Sequence, residues 1–417
     1  MSNTIKKHDP YAALRIKDFR LFVGFRFFLT IATQMQGVIV GWQIYSITKD
    51  PLNLGLIGLA EALPFICVCL YAGHLADIVS RKKIILFSVA AFLLCSLALL
   101  LFTLNSAEYI NRFGTLPIYF IIGLTGIARG FAGPALSAFW AQLVPRELYA
   151  NSSGWNSTIW QIGAVLGPAI GGLIFGFLGA PKAYTIDAVL IVISMICLAF
   201  IVKKPITKKE KKESLKTSLS AGLKFVFNNQ IILGALSLDL FAVLFGGAVA
   251  LLPIFAAEVL RVGPEGLGIL KAAPSLGAVL MALYLTHQPP MKKAGRNLLF
   301  AVAGFGMCMI FFALSKNFYF SLLILALSGA LDNVSVVVRS TILQLLTPDE
   351  MRGRVSSVNN IFIGSSNEIG EFESGVAAKL LGLIPSVIFG GVMTISIVAY
   401  TAKMAKKLRQ LNLSTIQ

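Results

Sequence analysis

The sequence predicts an all-α membrane protein, with twelve transmembrane helices arranged as two parallel six-helix repeats. Three observations carry that prediction: the composition, the spacing of apolar runs and an internal repeat. Hydrophobic residues make up 56% of the 417 and charged residues 13%, with a mean hydropathy of +0.79. That balance excludes a soluble globular domain and leaves a polytopic membrane protein.

Apolar runs of about twenty residues or more, the length needed to cross a bilayer as a helix, begin near Phe19, Leu54, Lys83, Leu116, Tyr149, Ala183, Gln230, Leu267, Asn297, Phe318, Val355 and Pro385. Met1 to Asp18 are polar and basic, and the run that follows is too long for a signal-peptide core, so the first span is expected to stay uncleaved. The longest polar break contains eight lysines against Glu210 and Glu213. It divides the chain into an amino-terminal bundle (1–202), a basic linker (203–224) and a carboxyl-terminal bundle (225–417). The linker is expected to be solvated and held near anionic headgroups.

An even number of spans puts both termini on one side. Of the 36 basic residues, 26 then fall on that side and four within spans, leaving only Lys49, Arg112, Lys182, Arg261, Lys316 and Lys379 opposite. By the positive-inside rule the termini are cytoplasmic, in a multi-pass plasma (inner) membrane protein. This placement also accounts for the net charge of +17 without nucleic-acid binding. The five cysteines, Cys67, Cys69, Cys95, Cys197 and Cys308, lie in apolar stretches and act as small hydrophobes.

The halves repeat. At an offset of 203, Gly126, Pro145, Glu147, Asn156, Gly167 and Gly172 meet Gly329, Pro348, Glu350, Asn359, Gly370 and Gly375; earlier in each half the offset is 213, and Pro51, Leu54 and Gly55 meet Pro264, Leu267 and Gly268. Both halves start on the same side, so the repeat is parallel, about an axis along the membrane normal.

The fifth span carries glycines on a schedule: Gly154, Gly163, Gly167, Pro168, Gly171 and Gly172. Gly163, Gly167 and Gly171 share one helical face without Cβ atoms, where another helix can approach closely. Pro168 is expected to bend the helix at that point. Between the second and third spans, Gly73-His74-Leu75-Ala76-Asp77-Ile78-Val79-Ser80-Arg81-Lys82-Lys83 forms a basic turn. These two stretches resemble the antiporter motif and the signature loop of the major facilitator superfamily. The resemblance implies the major facilitator fold, a pivot at the glycine schedule, an interdomain partner for Asp77, a tight turn at Gly73, and headgroup anchoring by Arg81 and Lys82. Ile78 and Ser80 depart from the usual Arg and Gly, which implies a weaker latch. The alternatives are a generic small-residue packing face and a plain basic turn.

Arg129 and Gly133 resemble the family's fourth-helix Arg-x-x-x-Gly arrangement near the proton and substrate path. An arginine at mid-membrane costs roughly 2.5–3.5 kcal/mol on insertion scales, so it should face a wet cavity or a partner; a structural arginine bonded to carbonyls is the other reading. Glu61, beside Pro64, has similar standing, with an interdomain hydrogen bond as its plainer role. The repeat aligns Arg26 with Asp239 and Arg129 with Asp332. The resemblance implies that the first, fourth, seventh and tenth spans line a central cavity. These residues are therefore expected to form two cation–carboxylate pairs across it, either proton-coupling or static. The eleventh run contains Glu368, Glu371 and Glu373, with Glu371 at the place of Pro168. Glu368 and Glu371 share a face. This acidic helix, after Met351-Arg352-Gly353-Arg354-Val355, resembles a branch of bacterial facilitators related to the enterobactin exporter.

His8, His74 and His287 have no ligand spacing, and the sequence has no P-loop, no Ser/His/Asp set and no nucleotide-binding glycine run leading from a strand. The expectation is a secondary transporter rather than an enzyme, without cofactor or metal, acting as a monomer in the lipid bilayer. It would export amphipathic small molecules in exchange for protons by alternating access. Siderophore export or import is the alternative; a lipid scramblase or a non-transporting receptor fits composition alone.

Overall fold

A computed structural model describes residues 9–202, 215–246, 248–288, 291, 293–348 and 351–411. Among the described residues there is no strand. The amino half comprises α1 (Lys17–Thr48), α2 (Pro51–Ile78), α3 (Arg81–Leu104), the short α4 (Ser106–Phe113), α5 (Leu116–Trp140) and α6 (Tyr149–Ala199). The carboxyl half comprises α7 (Leu215–Asn228), α8 (Gln230–Phe245), α9 (Leu252–Ile254), α10 (Gly263–Thr286), α11 (Ala294–Leu314), α12 (Phe318–Leu346), α13 (Arg352–Leu381), α14 (Leu383–Met404) and α15 (Lys406–Arg409).

Local chemistry sets the boundaries. Lys49 adopts the left-handed region (φ 51°) and ends α1, and Asp50 then caps α2 by accepting from the Leu52 N–H at 3.1 Å, with Pro51 in the first turn. Asn229 and Asn317 cap α8 and α12 in the same way. Gly179 (φ 80°, ψ 169°) breaks α6, just before Pro181. Its repeat mate Gly382 (φ 92°) separates α13 from α14. A side chain would be strained at either position. No such departure occurs at Pro168, where the backbone stays helical. The break at Gly179 falls between the fifth expected span and the sixth, which begins near Ala183.

Ten helical segments among the described residues are long and apolar enough to cross a membrane. One of them, Asn151–Ala199, contains the Gly179 break. α13 is 30 residues long but carries three glutamates and is not among the ten. Residues 203–214 of the expected linker lie outside the described residues. From Leu215 the same segment is already helical, and Gly222 brings α7 against the Arg354 carbonyl of α13.

The repeat reappears as paired helix crossings. A Cβ on Gly172 of α6 would stand 2.7 Å from Gly268 Cα of α10, and one on Gly375 of α13 would stand 2.7 Å from Gly55 Cα of α2. These four glycines are two repeat-related pairs, and each pair joins the two halves. Only residues without Cβ atoms allow backbones this close.

Buried apolar side chains fall into three clusters. At the end away from the termini one cluster runs through both halves, joining Met35, Ile44 and Tyr184 to Leu251, Phe255 and Phe312. At the terminal end the clusters are separate, one in the amino half around Phe19, Phe22 and Phe139, the other in the carboxyl half around Leu236, Leu298 and Leu408. The halves therefore close on each other at one end and part at the other.

Candidate transport site

Where the halves begin to part, α2, α5, α10 and α13 bring five charged side chains together. Gly55 and Gly58 let α2 lie directly on α13, and a Cβ at Gly58 would stand 2.7 Å from Glu371 Cβ. Arg129 on α5 places Nη1 2.6 Å from Glu61 Oε1 on α2 and 2.7 Å from Glu368 Oε1 on α13. Its guanidinium also lies 5.6 Å from the Phe65 ring centroid. Lys271 on α10 interacts electrostatically with Glu371, and its Nζ donates to the Gly37 carbonyl of α1 at 3.2 Å. The Glu368 side chain is 8% exposed and that of Arg129 47%, so the cluster is sealed on the α13 side and open on the α5 side.

The expected cross-cavity pairs do not form. Asp239 on α8 pairs with Arg339 on α12, inside the carboxyl half, with side chains 9% and 5% exposed. Asp332 lines the same small pocket as Asp239 and Ser335, and Arg129 is engaged by the two glutamates. The repeat identifies equivalent positions, but pairing depends on side-chain reach and helix rotation: Arg129 meets nearer carboxylates and Asp239 a nearer cation. Arg26 instead lines a cavity of about 210 Å³ in the amino half, with Phe22, Gly133, Leu136, Ser137, Trp140 and Asn156.

The glycine face of α6 lies on α1. A Cβ would meet Thr30 at Gly163 (2.7 Å), Gln34 and Ile31 at Gly167 (2.7 and 2.8 Å) and Met35 at Gly171 (2.9 Å). Its mate Gly370 meets the Val243 and Leu244 carbonyls of α8. Gly154 meets nothing within 4 Å, so the contact face begins at Gly163. Gly73 likewise meets nothing within 4 Å. In the basic turn, Arg81 Nη1 donates to the Ala138 carbonyl at 3.0 Å, and Lys82 Nζ to those of Ala199 and Ile201 at 2.8 and 2.5 Å. These cations satisfy carbonyls at the ends of α5 and α6, where the resemblance implied headgroup anchoring. The side chain of Asp77 lies outside the described residues.

Three features escaped sequence reasoning. Lys271 was visible only as a lysine in an apolar run. Asp187 on α6 is fully buried, and its Oδ2 accepts from Ser96 Oγ at 2.7 Å and Gln36 Nε2 at 3.4 Å. At the closed end, Tyr45 of α1 donates to Glu258, and Lys379 Nζ of α13 bonds Asp50 Oδ2 at 2.8 Å. That hydrogen bond holds the Asp50 carboxyl below the usual carboxylate range.

Two membrane-embedded helical halves, packed together at one end and sharing a charge cluster where they begin to part, define a transporter of the major facilitator type. The chain matches the profile of the transmembrane secretion effector family over residues 8–415 and belongs to that family. It is 27% identical over 341 residues to the enterobactin exporter EntS of Shigella flexneri, covering 82% of this chain and 80% of that protein. The figures are the same for EntS of Escherichia coli O1:K1 / APEC. Among solved structures, it is similar to a bacterial homologue of the iron transporter ferroportin in an inward-facing state (TM-score 0.73, 16% identity, 95% and 99% of the two chains). A POT family transporter in complex with 5-aminolevulinic acid has the same fold (TM-score 0.73, 13% identity, 94% and 96%). These relatives are transporters, not enzymes, and the chain is a multi-pass inner-membrane transporter.

Proposed function

We propose that this protein exports amphipathic small molecules in exchange for protons, by alternating access of a cavity between its halves. The charge balance of the cluster carries the reading. Among the described residues, Glu61, Glu368 and Glu371 face the cations Arg129 and Lys271, which leaves one carboxylate without a matching charge. In a water-poor interface one proton completes the balance, and cargo or helix movement can displace it. Because Arg129 touches acids from both halves, their separation changes the balance directly.

In this reading the chain crosses the membrane twelve times: ten apolar helices, one of them divided at Gly179, and the acidic α13. Both termini are cytoplasmic, the closed end faces outward, and a monomer suffices. The contact of Gly163, Gly167 and Gly171 with α1 supports the pivot role of the glycine schedule. The enterobactin exporters among the relatives favour a second reading in which the cargo is a siderophore. A scramblase or a receptor has no use for a charge cluster that straddles the halves.

Inverted vesicles under an imposed proton gradient, offered a panel of dyes and iron chelators, test the proposal. Accumulation that collapses with the gradient is expected. Uptake of every compound at the rate of protein-free vesicles would refute it.

A further inference from the structure

The two halves treat one position differently. In the carboxyl half Asp239 is neutralised by Arg339. The repeat offsets place Arg26 where Asp239 stands and Leu136 where Arg339 stands. The amino half thus keeps one charged member of the pair and has an apolar residue in place of the other. Arg26 and Leu136 line one cavity of about 210 Å³, whereas the pocket beside Asp239 holds about 10 Å³. Where the carboxyl half has Val336, the amino half has Gly133, and a Cβ there would meet nothing within 4 Å. Among the described residues Arg26 makes no ion pair or hydrogen bond. Asn156 Oδ1, in the same wall, is buried without a partner.

We propose that Arg26 binds an acidic group of the cargo, so that the ligand supplies the counter-charge that the carboxyl half builds into its own chain. An unpaired, half-buried cation within a membrane-spanning helix is costly, and a guanidinium matches a planar carboxylate with two parallel hydrogen bonds. Phe22 and Trp140 offer an apolar, aromatic wall to the body of the ligand, and Asn156 Oδ1 accepts from an adjacent N–H or O–H. Arg26 lies about 14 Å along α1 from Lys17, in the part of the bundle where the halves are separate. The ligand class is therefore an amphipathic organic acid with a flat apolar body. This inference rests on the transporter reading of the cavity and does not depend on proton coupling.

Equilibrium dialysis of the purified full-length protein in neutral detergent, without any gradient, tests it with 2-naphthoate and its neutral counterpart 2-naphthamide. Naphthoate should bind about tenfold more tightly, the scale of one charge-assisted contact. Arg26→Gln should remove that preference, weakening naphthoate about tenfold more than naphthamide. Leu136→Glu should also remove it, by giving Arg26 an internal partner, and it keeps the test alive should Arg26→Gln fail to elute as a monodisperse species. Equal affinity for the two probes, no binding of naphthoate, or a preference that survives both substitutions overturns the inference. So does displacement of naphthoate by phosphatidylglycerol added to the micelles, which would assign the site to a lipid headgroup.

Discussion

Glu368 of the carboxyl half holds Oε1 2.7 Å from Nη1 of Arg129 in the amino half. The same nitrogen is 2.6 Å from Glu61, within its own half, so separating the halves at this level breaks one of these bonds and spares the other. A hydrogen bond to a charged group contributes about 1.5–3 kcal/mol. With the Arg129 side chain 47% exposed, screening favours the lower end. Glu368→Gln is expected to shift the balance of transporter states about tenfold away from the one described. Cysteine labelling at both membrane faces measures it, and an unchanged labelling ratio would remove Glu368 from the switch.

The Asp239–Arg339 pair should behave differently, since both partners lie in one half and are buried. Removing one member of a buried pair typically costs about 3–5 kcal/mol. Asp239→Asn is expected to lower the yield of folded protein sharply, and Asp239→Asn with Arg339→Gln to restore part of it. Normal folding of the single variant, with loss of gradient-driven transport alone, would return Asp239 to the coupling machinery.

The contrast between these two pairs marks what was legible in the sequence. The glycine contacts were readable, because an absent side chain has a single consequence at a crossing and the repeat supplied both members of Gly172–Gly268 and Gly375–Gly55. The charged partners were not. An arginine reaches several ångströms from its backbone, and whether Arg129 meets Asp332, Glu61 or Glu368 depends on helix rotation, which offsets do not encode. Lys271 was one of the basic residues counted within spans, but its partner Glu371 lies on another helix at no fixed sequence spacing.

At the closed end, the Asp50–Lys379 bond joins α2 to α13. The folded-state pKa of Asp50 is lowered, chiefly by that hydrogen bond. Its contribution is therefore present above the unfolded carboxylate value and lost only as pH falls through the lower folded value. The contribution of this bond to the closed fraction should stay constant between about pH 5 and 8, so Lys379→Ala should lower that fraction by the same factor at every pH in that window. A pH-dependent opening in this range that Lys379→Ala abolishes would contradict the assignment.

Gly167 leaves no room for a side chain, since a Cβ would already stand 2.7 Å from Gln34 and 2.8 Å from the Ile31 carbonyl. Overpacking of this kind costs about 1–3 kcal/mol, comparable to the gap between transporter states. Gly167→Leu is expected to trap one state, read as a changed accessibility ratio with lost transport. Normal transport with an unaltered ratio would reduce the glycine schedule to generic packing.

Glu371 is the sharpest test of the charge balance. It sits against Gly58 of the other half and interacts with Lys271, whose ammonium also holds the Gly37 carbonyl. A proton on Glu371 frees Lys271 from its counter-charge, and loss of that proton restores the pair within the carboxyl half, beside the Lys271–Gly37 bond that does cross the halves. Glutamine keeps the shape of the protonated acid and removes the proton that can leave. Glu371→Gln is therefore expected to abolish exchange of a cationic substrate, which needs the negative charge, while sparing counterflow of a neutral one, and to shift the pH optimum of what remains. Glu368→Gln serves as the comparison, because Glu368 touches Arg129 instead of Lys271. Transport per folded molecule, normalised to monodisperse protein, separates the two roles. If both variants merely lower the amount of folded protein while each folded molecule still carries both substrates, the acids of α13 belong to the architecture, and the exchangeable proton must sit on another carboxylate.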